Sequence, residues 1–82
     1  MYLVYVLYSK GSDKIYIGFT NNLVERLKSH NELGKKGWTM KFRPWELIHQ
    51  EEFAEKSAAM KREVQLKSFQ GRLWIREQVL KG

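Results

Sequence analysis

Two tyrosines, an arginine, a histidine and a glutamate are the side chains of this sequence whose types and spacing could do chemistry together: Tyr5, Tyr16, Arg26, His30 and Glu63. A phenol or an imidazole can accept or relay a proton, a guanidinium grips an oxyanion through a planar fork of donors, and a carboxylate can hold a cation. Taken singly, each has a plainer reading. A strand tyrosine ordinarily packs in the core with its hydroxyl at the surface, and a helical arginine ordinarily lies along apolar neighbours with its head in water. A site exists only if the elements carrying the five residues bring them to one place.

Residues 2–8 (YLVYVLY) and 14–19 (KIYIGF) are rich in β-branched, leucine and aromatic side chains and flank the turn-forming stretch Ser9-Lys10-Gly11-Ser12-Asp13, which predicts a β-hairpin. With Tyr8 opposite Asp13 across a four-residue loop, Tyr5 lies directly opposite Tyr16 on one sheet face; a one-residue slip would separate them. The first strand is apolar on both sides, Tyr2, Val4, Val6 and Tyr8 against Leu3, Tyr5 and Leu7, as a central strand should be. Gly18 removes a side chain beside Tyr16 and leaves room for a substrate or a backbone to approach, a bend or bulge being the plainer alternative. Asn22 with Glu25 three residues later marks a helix start, and the helix is expected to run to about Asn31. Leu23, Val24 and Leu27 form its buried stripe, while Arg26 and His30, four apart, share one edge of that stripe.

Pro44 is expected to open a third strand, about Trp45 to Phe53, in which Trp45, Leu47 and Phe53 alternate with Glu46, Gln50 and Glu52, so that one face is wet. Ser57 is the expected N-cap of a second helix that runs to about Gln70 and stops at Gly71. Its apolar stripe contains Ala59, Leu66 and Phe69, and Glu63 projects from the middle of it. A carboxylate there is costly unless it finds a cation or a metal, and an ion pair with Arg26, Arg62 or Lys67 stands beside metal ligation as the alternative. Leu73, Trp74, Ile75, Val79 and Leu80 predict a short closing helix over the core. The fold class expected is α+β: a three-stranded antiparallel sheet, first strand central, with about three helices around it, residues 1–82 forming one domain.

Hydrophobic content of 43% is ordinary for a folded protein, and the absence of cysteine excludes disulfides, thiolate metal sites and a cysteine nucleophile. No apolar run approaches the roughly 18 residues needed to span a bilayer, and the N-terminal stretch lacks a secretory pattern, so a cytoplasmic protein with no membrane partner is expected. A net charge of +6 suits a polyanionic partner. Residues 33–43 concentrate that charge: Lys35, Lys36, Lys41 and Arg43, with Trp38 and Phe42 interleaved and no acid. Cations hold phosphates and exposed aromatics stack on bases, so nucleic-acid contact competes here with a solvated connection whose aromatics cap the core.

The triplet Tyr16-Ile17-Gly18 after Tyr5, followed by the pattern LxxRLxxHN over residues 23–31, resembles the GIY-YIG nuclease superfamily, in particular small stand-alone bacterial members related to the excinuclease nuclease domain. The resemblance covers nearly the whole chain and is specific in combination. It departs at Leu3-Val4-Tyr5, where the first motif's glycine is missing, and no asparagine follows Asn31 where the family commonly brings one into the site. What the resemblance implies is an endonuclease that hydrolyses DNA phosphodiester bonds, in repair or processing. Glu63, within KREVQLK, would hold one Mg²⁺ or Mn²⁺ per site; Arg26 would contact a non-bridging phosphate oxygen; Tyr5, Tyr16 and His30 would handle the proton of the attacking water as one unit, with Gly18 shaping the site. Lys35, Lys36, Trp38, Lys41 and Arg43 would bind the nucleic acid, aided by Arg72, Arg76 and Lys81. DNA is the expected partner, with RNA as a second candidate, and a homodimer or a larger repair complex is compatible with so small a chain. The competing class is a module that binds DNA or RNA, or docks onto a repair partner, without cutting. Retention of all five chemical side chains argues for catalysis, which binding alone does not need.

Overall fold

The computed structural model describes residues 1–28, 31 and 41–80. Its framework is a three-stranded antiparallel sheet in which β1 (Tyr2–Ser9) lies between β2 (Lys14–Thr20) and β3 (Glu46–Phe53). The central place of β1 follows from its two apolar faces. Val4 and Val6 pack with Ile15 and Ile17 beneath helix α2 (Lys56–Lys67), which contributes Ala59 and Leu66, and beneath Ile75. On the other face Tyr5 and Leu7 pack with Trp45 and are closed by Tyr16, Phe42, Leu47 and, from helix α1 (Leu23–Lys28), Leu23 and Leu27. A short helix α3 (Phe69–Trp74) and a π-helical segment (Ile75–Leu80) complete the α+β arrangement.

The hairpin register differs from the expected one by two positions. Tyr5 faces Gly18, and Tyr16 faces Leu7. The four-residue loop is residues 10–13, one position later than expected, because Ser9 still pairs with Lys14. Ser12 N donates to Ser9 O at 3.2 Å, and Asp13 takes the left-handed conformation (φ 52°), which aspartate tolerates better than most residues. A shift of two keeps every side chain on its face, so Tyr5 and Tyr16 share one side as neighbours on the diagonal.

In β3 a bulge opposite Val6 and Leu7 pairs Leu47 with Leu7 and His49 with Val6, so the alternation changes phase along the strand. Leu47 and Phe53, expected on one face, therefore belong to opposite clusters. Glu46, Gln50 and Glu52 are the exposed positions, as the pattern implied. Pro44 precedes the strand, following Arg43 through a cis peptide bond.

The helices also depart from expectation. Val24 is 65% exposed, so α1 seats only Leu23 and Leu27. The N-cap of α2 is Glu55, not Ser57, and it supplies no side-chain bond; seating Ala59 on the sheet, not cap chemistry, sets this start. The helix breaks at Ser68, not at Gly71. The hydroxyl of Ser68 accepts from Gly71 N at 3.1 Å and so caps the start of α3. Phe69, placed beyond that break, is 79% exposed, and Leu73 and Trp74 also keep substantial exposure, which leaves Ile75, with Val79 and Leu80 beside it, to close the core. Gly71 serves close packing: a Cβ there would stand 2.2 Å from Gln65 O and 2.5 Å from Leu66 Cα.

One polar clip ties β3 to the helices. Glu51 receives Arg62 Nε at 2.8 Å and Arg62 Nη2 at 3.0 Å, and His49 Nε2 lies 2.8 Å from Glu51 Oε2. Trp74 covers the pair, with the Arg62 guanidinium 5.7 Å from its ring centre and the His49 ring edge-on to it.

Gly71→Ala is expected to destabilise the fold by about 1–3 kcal/mol, because backbone atoms, not a flexible side chain, must yield; an unchanged urea midpoint would contradict this. The Arg62 bonds hold the Glu51 carboxyl below its ordinary value. A lowered folded-state value gives stability that is present above about pH 4.5 and is lost as pH falls through the depressed value. Glu51→Gln should thus be less stable than the parent at pH 7, with the gap closing in acid; a gap independent of pH would refute the role of this charge.

Candidate active site

The site begins with the way β1 meets β2. Because Tyr5 faces Gly18, its ring crosses the vacant position and stacks against Tyr16, with ring centres 6.2 Å apart and planes inclined by 29°. A Cβ on residue 18 would stand 2.7 Å from the Tyr5 hydroxyl oxygen and 2.9 Å from Cζ. The glycine therefore makes room for the phenol itself, rather than for a substrate or a bend. Tyr5 is 1% exposed, and this burial, then the neighbouring Tyr16, pushes its ionisation well above the usual phenol range; Arg26 opposes the effect, while Glu63 and a hydrogen bond to Tyr16 add to it. Tyr5 is a phenol held neutral.

Tyr16 is supported from behind. Its ring meets Trp45 edge-on at 6.2 Å, and Trp45 in turn meets Phe42. Trp45 is fixed by Asn31, whose Oδ1 accepts from Trp45 N at 2.6 Å and whose Nδ2 donates to Trp45 O at 3.0 Å. That side-chain amide completes the backbone bonding of a residue lying just before β3. Phe42, in the basic stretch, accordingly caps the core.

A cleft of about 550 Å³ opens over this pair. Tyr5, Tyr16, Gly18, Arg26 and Glu63 all line it, so five sequence-predicted residues from β1, β2, α1 and α2 converge. Tyr2 and Phe19, from the opposite face of the sheet, line it as well, as is possible at the edge strand β2. The start of α1 lies within the wall: Thr20 Oγ1 accepts from Asn22 N at 3.0 Å, and Asn22 Oδ1 accepts from Glu25 N at 3.2 Å, the expected cap. The sequence reading did not place Glu25 at the site, nor Lys56, which shares the cleft with Glu63 two turns along α2. That helical spacing was the available signal.

Glu63 is 18% exposed, and its Oε2 lies 3.5 Å from Lys67 Nζ, so one of the three expected ion-pair partners is present. A pair at this spacing on a helix contributes little and can be displaced. Among the described residues, Glu63 and Glu25 are the acids lining the cleft, and no group of three or more His, Cys, Asp or Glu side chains is placed to hold a metal ion. So sparse a set of oxygen donors fits a hard ion that keeps most of its waters and completes its shell with substrate phosphate; it does not fit a cage of protein ligands. His30, Lys35, Lys36, Trp38 and Lys81 lie outside the described residues. Lys41 is exposed and Arg43 half-buried, and neither is among the described residues lining the cleft.

Gly18→Ala should evict the Tyr5 phenol and destabilise the fold by about 1–3 kcal/mol, with an altered near-ultraviolet tyrosine signal. Gly11→Ala, where a Cβ would meet nothing within 4 Å, is the control and should leave both unchanged. Equal behaviour of the two variants would remove this account of Gly18.

Residues 1–73 match the GIY-YIG catalytic domain family. Among similar proteins, a UPF0213 protein of Staphylococcus haemolyticus is 38% identical over 80% of this chain and 79% of its own length. UPF0213 proteins of Natronomonas pharaonis and Syntrophus aciditrophicus are each 42% identical, over 79% and 77% of this chain and 75% of their own lengths. No helix among the described residues is long and apolar enough to cross a membrane. With a family match over most of its length and relatives of this similarity, the chain belongs to the GIY-YIG nuclease family.

Proposed function

We propose that this chain is a divalent-metal-dependent endonuclease that hydrolyses DNA phosphodiester bonds in repair or processing, residues 1–82 acting as one nuclease domain. The observation that carries the reading is the joint lining of one open cleft by two phenols, a guanidinium and a half-buried carboxylate. Arg26 binds a non-bridging oxygen of the scissile phosphate, which its planar fork suits. Tyr5 stays protonated and donates to Tyr16, fixing that hydroxyl. Tyr16 orients the attacking water from the β2 side, and the proton the water loses as its oxygen bonds to phosphorus passes into the unit formed with His30. The bond to the leaving oxygen breaks and that oxygen takes up a proton from solvent, giving a phosphate monoester and a hydroxyl. Glu63 would hold a divalent ion, Mg²⁺ or Mn²⁺ by the chemistry of an oxygen donor, and the ion would supply neutralisation of the charge that develops as the phosphodiester is cleaved.

The binding-only alternative draws on Leu3, which stands where the family's first motif has glycine, and on the lack of an asparagine after Asn31. In β1, however, Leu3 pairs regularly with Thr20 and with Glu52, and the strand carries Tyr5 to its place regardless.

Purified protein incubated with labelled flap, nicked and single-stranded DNA should cut in the presence of Mg²⁺ or Mn²⁺ and not with chelator. Glu63→Ala should fall to background, and Arg26→Ala should lose roughly 10²-fold or more in rate, both with unchanged thermal unfolding. Full cleavage by Glu63→Ala would remove the mechanism, and a chelator-insensitive mobility shift without products would favour the module.

A further inference from the structure

Beside the cleft lies a second depression, of about 610 Å³, on the β2 edge of the sheet. Among the described residues its charged lining is Lys14, Lys67, Arg72 and Arg76 against one acid, Asp13, and it shares Tyr16 with the first cleft. Asp13 is already engaged: its Oδ1 accepts from Arg76 Nη1 and from the Tyr8 hydroxyl, each at 2.9 Å. Neither Lys14 nor Arg72 is in a salt bridge among the described residues; Lys14 only adds its field to the stronger hold of Arg76 on Asp13. Arg72 is held in place by its Nε, which donates to Lys67 O at 3.1 Å and leaves the two Nη groups for another acceptor. Lys14 Nζ stands 5.7 Å from the centre of the Phe42 ring. A groove with so one-sided a lining concentrates anions. Its junction with the first cleft at Tyr16 decides which anion: a lone phosphate would need only one of the two spaces, whereas a chain of regularly repeated phosphates can occupy both.

We propose that this groove is the continuation of the substrate track. A DNA strand with its scissile phosphodiester at Arg26 and Glu63 runs past Tyr16 and lays its next phosphates against Lys14 and Arg72. Lys67 stands at the crossing, reaching Glu63 from the groove side. Such contacts hold and orient the strand without reading its sequence. The proposal rests on the nuclease reading for the identity of the polymer and for the place of its scissile phosphate.

The test uses the full chain and the double variant Lys14→Gln/Arg72→Gln, with thermal unfolding as the check on folding. In chelator, binding of a labelled single-stranded DNA oligonucleotide is measured across a salt series. The double variant should bind on the order of tenfold more weakly at low salt, and its plot of log affinity against log salt should be shallower by about 0.7 for each lost phosphate contact. Parental affinity and slope in the variant, absence of binding by the parent, or tighter binding of an RNA strand of the same sequence would each overturn the proposal. Loss of binding in the variant with no metal-dependent cleavage by the parent would uphold the groove and reject the nuclease reading.

Discussion

The contact on which the structure turns is the Tyr5 phenol lying across Gly18. It requires a central strand buried on both faces, so that a tyrosine can sit at its middle, and a facing residue with no Cβ, so that the ring can reach Tyr16. Burial, with Tyr16 beside it, then raises the ionisation of Tyr5 well above the usual phenol range and keeps the phenol neutral. Asn31 and Trp45 act from behind the pair, for by replacing a missing backbone partner the asparagine holds the indole against Tyr16.

The edge strand is the second organising feature. A β-sheet edge is ordinarily blunted by charge or covered by neighbouring elements, and β2 is flanked instead by two depressions that meet at Tyr16. Helix α2 serves both: Glu63 and Lys56 face the first, Lys67 the second, and their mutual spacing is that of a helix with one face along the edge. The Ser68 break then turns the chain so that Arg72 and Arg76 come to the groove rather than continuing along the axis of α2. A break in a helix thus decides where two cations lie.

Much of this was legible in residue patterns. Apolar residues on both faces of residues 2–8 placed β1 at the centre, the Asn22 and Glu25 pair marked the start of α1, and the position of Glu63 within an apolar stripe marked it as a carboxylate that needs a partner. Each of these is written in local periodicity or in a side chain that bonds its own neighbours. Other features were misjudged where two segments compete for one place. The hairpin register depended on whether Asp13 belongs to the loop or the strand, the phase of β3 on a bulge opposite Val6 and Leu7, and the role of Gly71 on the backbone of Gln65 and Leu66.

The chain order of residue types was enough to name the chemical groups and the faces on which they ride, because the periods of strand and helix are properties of the backbone. It could not say that Gly18 exists for Tyr5, that Asn31 completes Trp45, or that Lys14 and Arg72 share a groove with Tyr16. Those relations join residues far apart in sequence, and they arise only when packing brings separate elements together and volume, not periodicity, selects what fits.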